Sequence, residues 1–538
     1  MAGLIAGLLF AIHPLNVEAV AWTSGRKDVL STFWFLVALL IFILYRNRHL
    51  WRLYVASLVC FLLALLSKGV TLTLPVVLLL LDYRDRKLPL RQAVVEKLPF
   101  FALSVVFGIV GLFGKTQNVE SSTTIEKALM AAKSTVFYLQ KLVWPTGLAP
   151  VYPYNGTISI GTPAILIPLL IVLALAAIVA VASRRTREVP FAAAFFVATL
   201  APTFIVCSKG AHLYFASDRY AYIPAIAMFY LVGLGIANFL EAFTRPMARR
   251  VMQAAVLLVT TAVLSILAFL AHQQSLVWYD SETLFLHNLA YYPDAELTRI
   301  WLGGLYLQSG RLDEAAEQFE AAIQERPELA AYIGLGEVAA KQNDITKALE
   351  LYQKAIDINP KSGEPLTEIG LVLAGEKRYP EAEAMFEKAI ESDPSYIASY
   401  NNLGAMYLAQ HRWADADTQF RRAIAINPDF MDAWYNWGYL LTTEGDLSEA
   451  IACYERLLAL DPDEVDARLR LAPLYLRMNH FDQAITTVRV AIQEKPDDPN
   501  VESVAFDTIK VVLNADPSNK PAAALLQDLE DKGILTHK

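Results

Sequence analysis

The sequence predicts an all-α protein in two parts, a polytopic transmembrane helical domain followed by an α-solenoid of short repeated helix pairs. Three observations carry this. Long apolar runs fill the chain up to residue 271 and are missing beyond it. Arginine and lysine gather in every second connection of the apolar part. In the remainder, proline returns every 33 or 34 residues.

Composition sets the two-part division first. Of 538 residues, 55% are hydrophobic, and the mean hydropathy is +0.36. Residues 1–290 hold 23 Lys+Arg against 12 Asp+Glu, and residues 291–538 hold 23 against 42. The net charge of −8 therefore joins a basic apolar part to an acidic polar part, and such asymmetry argues for two domains. Cys60, Cys207 and Cys453 lie too far apart to suggest a disulfide framework or a zinc site. The acidic polar half carries no basic stripe, which argues against nucleic acid as a partner.

The apolar segments come next. Residues 29–45, 51–66, 70–82, 98–114, 162–182, 190–206, 222–240 and 251–271 are candidate spans, and 2–12 reads as part of another. That makes about nine spans, the first one partial. A bilayer core needs ~20 apolar residues in a helix, and only helices satisfy their own backbone groups at these lengths. Residues 1–12 lack a charged leader and a small-residue cleavage site, unlike a signal peptide.

Charge orients the spans. Arg46, Arg48 and Arg52 fill one connection, and Arg84, Arg86, Lys87, Arg91 and Lys97 another. Arg184, Arg185 and Arg187 fill a third; Arg245, Arg249 and Arg250 a fourth. By the positive-inside rule these are cytoplasmic. The alternate connections 13–28, 67–69, 115–161 and 207–220, and everything after about residue 272, then face the periplasm or a secretory lumen.

The polar half repeats. Pro327, Pro360, Pro394, Pro428, Pro462 and Pro496 mark copies of 33–34 residues. Gly303, Gly336, Gly370, Gly404 and Gly438 hold one position of the first helix. Ala315, Ala348, Ala382, Ala416, Ala450 and Ala484 hold one position of the second. Small residues let paired helices approach closely, and proline stops the second helix by breaking its hydrogen-bond ladder. This period is that of tetratricopeptide helix pairs, which stack because no single pair can bury its own apolar face. The expected domains are a membrane part over 1–271, a connector over 272–293, six repeats over 294–497 and a helical cap over 498–538. Asn402 and Asn436 share a register on the first helix, where asparagine can grip a peptide backbone or simply be solvated.

Candidate chemistry lies in the outward connections. The first, HPLNVEAVAWTSGRKD, carries His13, Glu18, Arg26 and Asp28 beside apolar runs. Ionisable groups at such depth are costly and point to function. Asp28 also fits a helix cap, Arg26 an interfacial anchor, and His13 a helix stop. Lys68 in SKGVTLTLP suits a phosphate, or snorkels to headgroups. Residues 131–143 read as an amphipathic helix lying in the interface, and Tyr152 and Tyr154 as sugar-stacking rings or an aromatic belt. The last such connection, SKGAHLYFASDRYAYIP, adds Lys209, His212, Asp218, Arg219 and Tyr220. Asn155-Gly156-Thr157 is a glycosylation sequon. Together these groups could clamp a charged headgroup and offer a carboxylate to an incoming nucleophile.

The strings HPLNVEAVAWTSGRKDVLSTFW, LLSKGVTLTLPVVLLLLDY and ASDRYAYIP, followed by the repeats, resemble the transmembrane and tetratricopeptide-repeat-containing proteins and their bacterial relatives. These are similar to integral-membrane glycosyltransferases of the GT-C fold. The resemblance implies a GT-C-like membrane domain that moves a mannose-like sugar from a polyprenyl or dolichyl phosphate to protein hydroxyls, the repeats recruiting the acceptor. It implies catalytic roles for Glu18, Asp28 and His13, and donor-phosphate binding by Arg26, Lys68, Arg219 and Lys209. Asp218 and Tyr220 belong to the same motif, and a divalent metal ion could assist. That family also places an Asp in a first outer loop upstream of the HPLN string, so the chain is expected to be N-terminally incomplete. The competing reading is a non-catalytic membrane-anchored scaffold; a transporter of lipid-linked sugar ranks third.

Overall fold

The computed structural model describes residues 2–85, 89–113, 123–154, 156–204 and 214–531. It resolves into two compact units, Met1–Arg326 and Pro327–Lys538.

The first unit is built around apolar helices. Helix α1 (Ala2–Ile12) ends at His13-Pro14, and a short 3-10 turn leads to α2 (Val17–Ala21). Helix α3 (Arg26–Arg48) packs along α4 (Trp51–Ser67). Residues 70–82, expected as one span, are not one helix. A 3-10 turn over Gly69–Thr73 precedes α5 (Leu74–Asp85), because Pro75 has no amide to donate and fits only a first turn. Helices α6 (Leu90–Glu96) and α7 (Leu98–Phe113) follow, then α8 (Thr124–Val143). A capping box between Thr123 and Glu126 starts α8, seven residues before the expected amphipathic segment. Its Tyr138 is buried, so α8 packs inside the unit.

Strand β1 (Tyr152–Pro153) pairs antiparallel with β2 (Tyr214–Ala216), on either side of α9 (Pro163–Ala182) and α10 (Glu188–Phe204). Helices α11 (Ala225–Glu241) and α12 (Pro246–Val277) complete the apolar set. Phe35, Phe42, Phe61, Phe100 and Phe196 form the core between α3, α4, α7 and α10. By length and composition, 23–48, 163–182 and 246–277 are each able to cross a membrane. Two bent pairs raise the count to five among the described residues; α4, α10 and α11 are shorter apolar helices.

Charge marks both ends of α3. Asp28 and Arg46 stand 18 residues apart, about 27 Å along a helix. At the Arg46 end, Asp82 binds Arg46 (3.2 Å) and Lys97 (2.5 Å), and Lys97 also reaches Glu96 (2.8 Å). The basic connections are thus partly neutralised by buried carboxylates, a pairing invisible to a count of arginines and lysines.

Three helices then begin the polar part: α13 (Ser281–Tyr291), α14 (Glu296–Gln308) and α15 (Leu312–Glu325). The second unit continues with the pairs α16 (Leu329–Lys341) and α17 (Ile345–Ile358), and α18 (Glu364–Gly375) and α19 (Tyr379–Ser392). Next come α20 (Ile397–Ala409) and α21 (Trp413–Ile426), α22 (Met431–Glu444) and α23 (Leu447–Leu460), and α24 (Val465–Arg477) and α25 (Phe481–Glu494). Helices α26 (Pro499–Ala515) and α27 (Lys520–Asp531) close the chain.

The repeated glycines have one cause. A Cβ at Gly370 would lie 2.6 Å from the Phe386 ring, and one at Gly404 would lie 2.7 Å from Phe420. In the first five copies an aromatic ring of the second helix packs against this glycine. In the sixth copy Ala472 replaces glycine, and the facing residue is the smaller Val488.

Helix α13 repeats the role of a second helix. Glu282 accepts from Tyr306 (3.1 Å) and Arg311 (2.9 Å), as Glu383 of α19 accepts from Tyr407 (2.7 Å) and Arg412 (2.9 Å). Pro293 follows α13, 34 residues before Pro327. The segment expected as a connector therefore contains half a repeat. The loop 147–151 also packs on it: Asn288 donates to the Val151 carbonyl (3.3 Å) and Tyr292 to that of Gly147 (3.1 Å).

Candidate functional site

The expected site residues fall on three short pieces of the first unit: the 3-10 and α2 segment after His13, the start of α3, and a 3-10 turn over Asp218–Ala221. Lys68 reaches them from the end of α4. Three separate stretches of chain, 13–28, the end of α4 and 218–221, thus meet at one end of the apolar helices.

Glu18 is 1% exposed and fully engaged. Ser217 Oγ donates to it at 2.9 Å, the Arg219 amide at 2.8 Å, and Arg219 Nη1 at 2.5 Å. Such a carboxylate locks a turn in place. His13 is equally committed. Its Nδ1 accepts from the Leu15 amide (3.2 Å), which leaves Nε2 to donate to the Leu142 carbonyl (3.1 Å).

Asp28 differs. It lies buried in the first turn of α3 and pairs with Lys68 through Oδ1. Its Oδ2 is buried and meets no hydrogen-bond donor among the described residues. Buried carboxylate oxygens are seldom left so. Arg219 and Lys27 lie within electrostatic reach of the Lys68 ammonium. Arg26 and Lys27 are exposed at the head of α3.

Asp218 turns inward, 2% exposed, and accepts from Tyr152 Oη at 2.5 Å. Burial, with Glu18 nearby, pushes its carboxyl well above the usual carboxylate range. Tyr152 Oη also accepts from the Ala149 amide (2.9 Å). Tyr152 is therefore a buried strut, removed from any sugar-stacking surface. Tyr220 is half-buried, its ring 5.1 Å from the Arg219 guanidinium. Lys209, His212 and the sequon's Asn155 lie outside the described residues. Among the described residues no group of three or more His, Cys, Asp or Glu is placed to hold a metal ion.

Sequence reasoning missed Ser217 and Tyr138, which set the Glu18 turn. Tyr138 Oη donates to the Ser217 carbonyl (3.0 Å) and receives its amide (3.0 Å). It also missed a cavity of about 490 Å³ beside Arg219, walled by Trp22, Trp278, Phe285, Leu297 and Trp301. The Arg219 guanidinium lies 4.6 Å from the Trp22 ring. Two of its tryptophans, Trp22 and Trp278, stand at the C-terminal ends of helices, and Trp301 lies within α14.

In the second unit, Asn402 and Asn436 are joined through buried Asn401. Asn436 Nδ2 donates to Asn401 Oδ1 (2.9 Å), and Asn401 Nδ2 to Asn402 Oδ1 (3.4 Å). On the facing helix α18, Glu368 is pushed up to about 7 by burial, with Glu337 and Glu364 adding to the shift.

Matches to the tetratricopeptide repeat family cover residues 290–363 and 401–464, 362–429, and 441–505. The repeats are tetratricopeptide repeats. The array they build is a protein-binding module. Among curated proteins, BBSome complex member BBS4 of Mus musculus is 35% identical over 71 residues, 13% of this chain. Its Bos taurus counterpart is 34% identical over the same length. The match spans 14% of the length of those relatives. Solved structures similar to the chain include Pseudomonas aeruginosa pilF, at 22% identity over 39% of this chain and 97% of that one, with a TM-score of 0.33. PilW, a type IV pilus biogenesis factor, is 21% identical over 39% and 97%, with a TM-score of 0.34. YrrB, a repeat protein with a peptide-binding site, is 26% identical over 35% and 96%, with a TM-score of 0.28.

Proposed function

We propose that this protein is a membrane-embedded glycosyltransferase that moves a sugar from a polyprenyl phosphate to a hydroxyl of a protein held by the tetratricopeptide repeats. The observation that carries the reading is Asp28: a buried carboxylate with one oxygen held by Lys68 and the other unengaged, at the head of an apolar helix. A membrane setting is supported by α9 and α12, whose Leu170, Leu173, Ile178, Leu257, Leu258 and Phe269 are exposed side by side along each helix. Apolar surface of that extent calls for lipid or protein cover.

The chemistry follows from the groups at hand. The acceptor oxygen attacks the anomeric carbon as its proton passes to Asp28 Oδ2. The bond from that carbon to the phosphate oxygen breaks, and its electron pair leaves with the polyprenyl phosphate. Lys68 and Arg219, with Lys27 and Arg26 at the rim, neutralise the leaving phosphate. Because Glu18 and His13 are already saturated with hydrogen bonds, they act as positioning residues that hold Arg219 and the first turn.

The test is transfer of labelled sugar from polyprenyl phosphate to protein in membranes. Asp28→Asn should lower transfer by about 10²–10⁴-fold, the usual worth of a general base, in protein that still folds. Wild-type protein that captures partners through its repeats yet transfers nothing would favour the scaffold instead.

A further inference from the structure

The cavity beside Arg219 has walls of two origins. Trp22 and Arg219 come from the connections that build the charged site. Trp278, Phe285, Leu297 and Trp301 come from the region after α12, from α13 and from α14. The rings are in register for a lined slot: Trp22 and Trp278 are 6.5 Å apart, and Phe285 and Trp301 5.8 Å.

Trp301 is the informative wall. It stands two residues before Gly303, as Gly334, Glu368, Asn402 and Asn436 stand two before Gly336, Gly370, Gly404 and Gly438. It therefore holds, on the first repeat, the register that carries Glu368, Asn402 and Asn436 on later ones. Among the described residues α13 has no first-helix partner of its own; the loop 147–151 packs on it instead, and its Pro150 and Val151 also line the cavity.

We infer that this cavity binds an extended segment of the acceptor polypeptide, and presents its hydroxyl residue at Arg219, next to the carboxylate and cations of the site. The inference rests on the transferase reading for what happens to that hydroxyl, and on the register of Trp301 for where the polypeptide lies. Aromatic walls suit an extended chain, whose side chains fill the slot. A lipid-linked sugar has no use for a wall built from a repeat helix.

Photocrosslinking of the full-length protein in its native membrane tests this, with p-benzoylphenylalanine replacing Trp301 and, as a lipid-facing control, Leu258. The control should give lipid adducts. The position-301 adduct should be a polypeptide whose captured peptide contains Ser or Thr. A synthetic copy of that peptide should compete, and Trp278→Phe with Phe285→Ala should cut the yield at least tenfold. In parallel, Trp301→Ala should raise acceptor KM at least tenfold and leave donor KM unchanged, with Trp301→Phe restoring most of it. A polyprenyl-phosphate-sugar adduct at 301, or none beyond phospholipid, overturns the proposal even if transfer proceeds. A competed polypeptide adduct at 301, together with a wild-type protein that transfers nothing, would keep the binding site and remove the transferase.

Discussion

Glu18 and Asp28 show how two carboxylates ten residues apart come to differ. Both are buried, but Glu18 meets three donors from the Ser217–Arg219 turn, and Asp28 meets one lysine. Removing one member of a buried ion pair strands the other, at a cost of about 3–5 kcal/mol. Glu18→Gln should therefore lower the thermal midpoint of the purified protein markedly, whereas Asp28→Asn, which strands only the partly exposed Lys68, should lower it by less and lose activity. Equal melting temperatures for both variants would remove the distinction. Glu368 makes a pH prediction. Its folded value of about 7 stands above an ordinary 4.5, so folding holds its proton more tightly than unfolding does. The stability this contributes is complete below about pH 4.5 and is lost as pH rises through 7. Glu368→Gln should accordingly raise the repeat unfolding temperature at pH 8 and leave it unmoved at pH 4, measured by calorimetry. A shift of the same size at both values would assign the effect to packing.

The repeat helix pair is the element whose logic is most complete. Each first helix ends on a residue with positive φ: Gly310, Asn343, Lys377, His411, Gly445 and Asn479. The next amide then bonds back to the helix, as Arg378 does to the Leu373 carbonyl and Arg412 to the Tyr407 carbonyl, both at 2.9 Å. Lysine and histidine are strained there by about 1–2 kcal/mol, and glycine is not. Lys377→Gly and His411→Gly should each stabilise the array by up to about 1 kcal/mol in urea unfolding, after the entropy glycine adds to the unfolded chain. A loss of stability at both sites would mean that these side chains contribute more than their backbones cost.

At the scale of the whole molecule, the prediction concerns sidedness. The ionisable site and the repeats should occupy one aqueous compartment, opposite Arg48 and Arg245. With Cys207 replaced by serine, a cysteine at exposed Phe506 should react with an impermeant maleimide in intact cells or sealed vesicles on the non-cytoplasmic side only, since Cys60 and Cys453 are buried. Labelling only after permeabilisation would reverse the orientation and separate the array from any lipid-linked donor.

Local pattern alone determined the division into an apolar and a polar part, the repeat period and the glycine and alanine positions. Those depend on hydrogen-bond ladders and close packing within a few turns, so they are written at fixed spacing. Which ionisable group is free could not be read that way. Glu18 and Asp28 stand in one string, yet their partners arrive from residues 217–219 and 68, contacts that only a folded chain creates. The same holds for the half repeat at α13 and the cavity at Arg219: a tryptophan in a row of letters has no neighbours until distant segments are packed against it.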